Sequence, residues 1–241
     1  VDLRERAEAN LERHLKRNPY PGRGLVIGRS AGDEAWLLVY WIMGRSASSR
    51  SRRFVVEGGV LRTEPTDPDG LERPELTIYE AMCDLPGLHL VTNGDHTRTL
   101  RDVLSRNGSF EEALGLRERE PDAPHYTPRI AGLLDLRSDP GLALGILKAS
   151  AADPALSDRF AYRPALPPPG LGLGLTTYAG DGDPLPSFAG EPLWLPLEPG
   201  VEATLERFWD ALDPGNRVAL AVKAVSREGL LGPIAVRNRY P

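Results

Sequence analysis

Short apolar runs, set apart by glycine, proline and polar clusters, make up most of this chain, and few of them repeat at helical spacing. Leu3, Ala7, Leu11 and Leu15 recur every four residues among charged side chains, which predicts a narrow-striped helix ending before Asn18-Pro19. Residues 25–28 and 35–43 read as strands joined by a turn at 30–33. The second run lacks the alternation of a solvated face and should be central and buried. Residues 54–56 and 60–63 form a hairpin across Glu57-Gly58-Gly59, residues 76–79 a further strand or short helix, and residues 88–91 a strand. Thr99 opens a helix with Leu100, Val103 and Leu104 on one face, and Ser109 with Glu112 has the capping-box spacing of a second. Strands are expected again at 130–136, 142–149, 159–162, 173–178, 193–197, 218–225 and 230–236. Val201, Leu205, Phe208, Trp209 and Leu212 mark the clearest amphipathic helix, and residues 164–174 a stiff proline-rich loop. Many strands, few helices and no regular alternation of the two predict an α+β fold layered on antiparallel sheets.

Composition narrows the class of protein. A hydrophobic fraction of 41% over 241 residues is ample for a sizeable core. The formal charge of -5 gives no general attraction to nucleic acid or to an anionic membrane, so neither is expected as a partner. One cysteine, Cys83, excludes an internal disulfide framework and any multi-cysteine metal site, which fits a reducing cytoplasm. No apolar run approaches the roughly 20 residues of a membrane span, and residues 1–17 are charged rather than signal-like. A homo-oligomer is compatible with the sequence but not specified by it.

Candidate chemistry concentrates at a few stretches. At Val91-Thr92-Asn93-Gly94-Asp95-His96-Thr97 an apolar run ends in polar residues and a glycine, which would present an amide, an imidazole and backbone N–H groups at a sheet edge. As a plain strand-to-helix turn, the same stretch would use Gly94 for the awkward dihedral and Asp95 or Thr97 as a cap. Residues 44–53 hold four arginines and four serines, among them Arg45 and Arg50, a composition suited to an oxyanion or to a solvated basic loop. The chain turns acidic at Glu118, Glu120 and Asp122. Pro124 and Pro128 then hold His125, Tyr126, Thr127 and Arg129 on an extended path. The Gly-Leu alternation at 170–175 lacks the spacing of a dinucleotide fingerprint.

In order along the chain, Gly24-Leu25-Val26-Ile27-Gly28-Arg29-Ser30, Arg45-Ser46 with Arg50, Tyr79, Asn93-Gly94-Asp95-His96-Thr97 and Thr127-Pro128-Arg129-Ile130 resemble the archaeal-type IMP cyclohydrolase family. The resemblance implies a four-layer αββα sandwich like that of amino-terminal-nucleophile hydrolases, without their processed nucleophile. It assigns residues 20–241 to one such domain and leaves 1–19 as a helical extension. It also implies closure of 5-formamidoimidazole-4-carboxamide ribonucleotide to IMP with loss of water, the last step of purine synthesis, with no metal or other cofactor. The implied partner is a purine ribonucleotide. Tyr79 and one of Glu118, Glu120 and Asp122 would handle protons. Arg45, Arg50, Asn93, Gly94, His96, Tyr126, Thr127 and Arg129 would bind substrate. The family's glutamates before Thr-Pro-Arg align here only with a gap. That leaves open a nucleotide-binding relative without the chemistry, or another amide hydrolase on the same scaffold.

Overall fold

The structure is a computed structural model that describes residues 2–67, 78–137 and 139–240. Strands β1 (Gly24–Arg29), β2 (Ala35–Met43), β10 (Leu171–Thr176), β11 (Leu193–Pro196), β12 (Arg217–Ser226) and β13 (Leu231–Asn238) form a six-stranded sheet in the order β11-β10-β1-β2-β12-β13. A seven-stranded meander, its strands neighbouring one another in chain order, forms the second sheet. It runs through β3 (Arg52–Glu57), β4 (Val60–Pro65), β5 (Glu80–Leu85), β6 (Leu88–Thr92), β7 (Arg129–Asp135), β8 (Gly141–Ala149) and β9 (Ser157–Tyr162). Every pairing between these strands is antiparallel, as expected for an α+β sandwich.

Two apolar layers hold the elements together. Between β1 and β12 in its sheet, β2 is buried from Trp36 to Met43, which its unbroken apolar run requires. Tyr40 packs on Phe54 of the other sheet, whereas Trp41 packs on Phe208 of helix α5 (Gly200–Ala211). Outside the meander, α3 (His96–Ser105) and α4 (Phe110–Gly115) bury Leu100, Val103, Phe110 and Leu114 with Cys83, Leu90 and Leu147. Helix α1 (Leu3–Leu11), continued by a π-helical turn to Lys16, buries Ala7, Leu11 and Leu15 and packs against β11. Among the described residues, no helix is long and apolar enough to cross a membrane.

Some elements differ from the sequence expectation. Strand β5 carried no clear signal, because only Ala81, Met82 and Cys83 separate charged Glu80 from Asp84, and pairing with β4 and β6 supplies what local pattern lacks. Of the expected element at 76–79, Leu76 and Thr77 lie outside the described residues, and Ile78 and Tyr79 are in neither strand nor helix. Helix α3 starts at His96, three residues before Thr99. Asp95 stands at its N-cap position without a side-chain cap bond. The basic loop contains one helical turn, α2 (Ala47–Arg50), closed by reciprocal bonds between Ser46 and Ser49. Strand β10 begins inside the expected loop. Gly28 and Gly172 face each other across β1 and β10 so closely that a Cβ on Gly28 would overlap the Gly172 backbone, which explains the Gly-Leu alternation.

Candidate active site

The antiparallel register that sets Gly24 opposite Trp41 brings the chain entering β1 beside the chain leaving β2. Arg23 therefore lies next to the Gly44–Arg53 loop. The segment before β7 and the turn after β10 close the other sides of a cavity of about 280 Å³. Its walls include Tyr20, Arg23, Arg45, Arg52, Asp122 and Tyr178.

At the back of this cavity lies a buried ion pair. Arg23 donates to both oxygens of Glu120, at 2.8 and 3.0 Å, and through Nη1 also to the Asn93 carbonyl at 2.8 Å. Side-chain exposure is 12% for Arg23 and 2% for Glu120, so little water competes for the contact. Burial raises the Glu120 carboxyl above its usual range, against the opposing pull of Arg23 and Arg129. Burial also works against the Arg23 charge, but Glu120 with Tyr79, Tyr40 and Tyr178 keeps that guanidinium protonated. A carboxyl that is costly to ionise, held beside a permanent cation, is suited to accepting and returning a proton.

The front of the cavity is lined by arginines and serines. Arg52 is buried and donates from Nε to the Ser49 carbonyl at 3.1 Å, with no carboxylate partner among the described residues. Ser46 and Ser49 line the same cavity, with their hydroxyls bonded to each other at 3.0 Å. Arg45 lies 5.0 Å above the Tyr20 ring and pairs with Asp181. Tyr20 in turn stacks on Tyr178, with ring centroids 5.9 Å apart, and the two rings form a flat aromatic side. Asp122 accepts from the Thr127 backbone N–H at 2.7 Å and from its hydroxyl, which is also bonded to the Tyr178 hydroxyl at 2.6 Å.

Matches to known proteins agree with one another. The model for IMP cyclohydrolase-like proteins matches residues 20–229. The chain belongs to the IMP cyclohydrolase-like family. An IMP cyclohydrolase of Methanothrix thermoacetophila is 33% identical over 129 residues, which span 49% of this chain and 59% of that protein.

In this IMP cyclohydrolase-like chain the residues singled out from sequence fall into three groups. Arg45, Asp122 and Thr127 line the cavity, and Glu120 lies directly behind Arg23. Asn93, Gly94, His96 and Arg129 form a buried knot beside it. Asn93 accepts from the Ile130 N–H at 2.7 Å and donates to the Pro128 carbonyl at 2.8 Å, tying the end of β6 to the start of β7. A Cβ on Gly94 would sit 2.9 Å from Arg129 and 3.4 Å from Glu120, so glycine lets this turn close over the ion pair. His96 Nε2 lies 3.1 Å from the Ile130 carbonyl, and Nδ1 faces Arg129 at 3.5 Å. Burial and the Arg129 charge push its pKa down from 6.5 to about 3, which leaves a neutral ring donating from Nε2.

The third group lies away from the cavity. Arg50 is outside its walls; Nε donates to the Gly44 carbonyl at 2.9 Å and Nη2 to Asn216 at 3.3 Å, bracing the loop that presents Arg52. Glu118 is exposed and paired with Arg159. Tyr126 lies under the Arg119 guanidinium at 4.0 Å. Tyr79 is buried, bonds the Tyr40 hydroxyl at 2.6 Å, and borders a separate and larger cavity. Tyr20, Arg23 and Tyr178 line the cavity but carried no role in the sequence reading, and Arg52 entered it only as part of the Arg/Ser loop. An arginine abutting a buried strand at the end of Tyr20-Pro21-Gly22-Arg23 was the available signal, obscured by turn residues around it.

Proposed function

We propose that this chain closes 5-formamidoimidazole-4-carboxamide ribonucleotide to IMP with loss of water. One observation carries the reading: the buried Arg23–Glu120 pair backs a cavity whose front is an arginine and serine cradle. The family match and the named relative support it. In this reading Arg52, Ser46 and Ser49 hold the 5'-phosphate, with Arg45 at its flank. Tyr20 and Tyr178 wall the flat base. The carboxamide nitrogen attacks the formyl carbon, forming the C–N bond of the ring. Its proton passes to a carboxylate, Glu120 or Asp122, while Arg23 stabilises charge growing on the formyl oxygen. The carboxyl returns this proton to the formyl oxygen, and the resulting hydroxyl leaves as water when its C–O bond breaks, the second proton passing through the same carboxylate from the formamido N–H, whose electrons form the C=N bond of the ring. Both reacting groups belong to one molecule, and orienting them supplies on the order of 7–11 kcal/mol of the barrier reduction.

The two helix-flanked antiparallel sheets support reading the fold as that of an amino-terminal-nucleophile hydrolase without its processed nucleophile. Residues 20–241 then act as one domain and 1–19 as an appended helix. Incubation of purified protein with the formamido ribonucleotide, followed by ultraviolet absorbance, should show IMP forming. Tight binding of the ribonucleotide without IMP formation would instead make the chain a non-catalytic nucleotide-binding relative.

A further inference from the structure

The larger cavity, about 510 Å³, opens between the start of β5, strand β4 and the first turn of α3. It is bordered by Arg62, Arg98, Arg101, Arg117 and the hydroxyl residues Thr97 and Thr99. Among the described residues, two carboxylates, Glu80 and Asp95, share its lining with these four cations. Arg62 is satisfied by Glu57 and Glu64, both at 2.7 Å, and Arg101 by Glu80 at 2.6 Å. The balance at the other end is uneven. Asp95 serves both Arg117 and Arg129, so one carboxylate offsets two guanidinium groups. The Arg98 side chain is exposed and has no bonding partner among the described residues. The first turn of α3 carries no acidic side chain and receives no side-chain cap, so its partial positive charge adds to the same excess.

We propose that this cavity is a second anion site, separate from the nucleotide cavity, that takes a small phosphate-bearing molecule on Arg98, Arg117 and Thr99. Phosphate suits it because two guanidinium groups and the Thr99 hydroxyl can together satisfy three oxygens, whereas the Thr97 hydroxyl is already bonded to the Glu80 and Gly94 carbonyls. The site is also joined to the candidate active site. Tyr79 forms part of its wall and bonds Tyr40 between the sheets. Asp95 links Arg117 to Arg129, whose charge acts on Glu120. An anion that takes Arg117 from Asp95 leaves that carboxylate to Arg129 alone, and the field at Glu120 changes with it.

Calorimetric titration of the full chain with inorganic phosphate tests the proposal. Two binding events are expected. Arg98→Glu, at an exposed position whose side chain braces nothing, should weaken one event about tenfold or more and spare the other. Arg52→Ala should do the reverse. An Arg98→Glu effect without an Arg52→Ala effect also supports the second site, while removing the phosphate role given to Arg52. If Arg98→Glu changes neither event, the proposal is overturned. A single event that both substitutions abolish overturns it as well, because the two cavities would then be halves of one site.

Discussion

Among the described residues, two largely buried ion pairs link the sheets, and the cavity of the candidate site lies in front of one of them. Arg23–Glu120 lies where the chain enters β1 and β7, with Tyr20, Asp122 and Tyr178 around the space in front of it. Lys223–Asp84 lies on other strands, joining β12 to β5, and His89 closes it by bonding Asp84 at 2.8 Å. Burial works against the Asp84 charge, but His89 and Lys223 hold its carboxyl below the usual range, whereas the Glu120 carboxyl is raised. The difference lies in the surroundings rather than the residue types. A strand interior clamps one carboxylate in its charged form, and strand ends leave the other able to exchange a proton with something bound beside it.

The comparison breaks most sharply through turnover. On the proposed reaction with Glu120 as its proton carrier, Glu120→Gln should reduce IMP formation about 100-fold or more with little change in nucleotide affinity, the loss expected of a group that acts in the transition state. Asp84→Asn should leave turnover of the folded protein near wild type. Equal losses in both variants, measured on protein shown to be folded, would erase the distinction drawn between the two pairs.

Stability should show the opposite ranking. Lys223→Met leaves Asp84 buried without its cation and should cost about 3–5 kcal/mol in denaturant unfolding. Adding Asp84→Leu should recover part of that loss, because the uncompensated charge is gone although His89 loses its partner. A Lys223→Met protein as stable as wild type would mean that the pair is open to water.

Within the basic loop, Arg52→Ala should weaken nucleotide binding by about 1.5–3 kcal/mol, the worth of a charge-assisted contact. Arg50→Ala should weaken binding far less and lower stability by about 1 kcal/mol through its lost bonds to Gly44 and Asn216. Reversal of that order would return the substrate contact to Arg50, which the resemblance counts among the substrate-binding residues.

The smallest effect concerns the knot beside the pair. His96 titrates near 6.5 when unfolded and at about 3 when folded, so below 6.5 the unfolded chain binds a proton that the folded chain does not. Stability from this residue is complete above that value and declines as pH falls through the window, by under about 1 kcal/mol from about pH 7 to about pH 6. His96→Gln should flatten the slope in unfolding experiments. A slope that persists unchanged would point to another group.

Much of the sheet structure could be read from sequence because alternation and turn residues are local signals: β2, the β3–β4 hairpin and the last two strands all announce themselves. Strand β5 could not be read, since its three apolar residues become a strand only when β4 and β6 bond to both sides. The candidate site was legible in type but not in membership. The Arg/Ser loop and the acidic approach to Thr127 mark the right segments, yet whether Arg50 or Arg52 faces the cavity turns on one helical turn closed by Ser46 and Ser49. Likewise Glu118 and Glu120 differ only by two positions in sequence, but one is exposed on Arg159 and the other buried on Arg23.

By itself, the sequence determined the α+β class, the family and the segments that carry polar chemistry, because periodicity, glycine placement and motif order are properties of the chain alone. Only the tertiary structure decided which arginine meets which carboxylate, and which of those pairs faces a cavity. Arg23 and Glu120 are 97 residues apart, and nothing local couples them. Antiparallel register across two sheets brings their strand ends together, and burial then makes the contact strong and the proton movable.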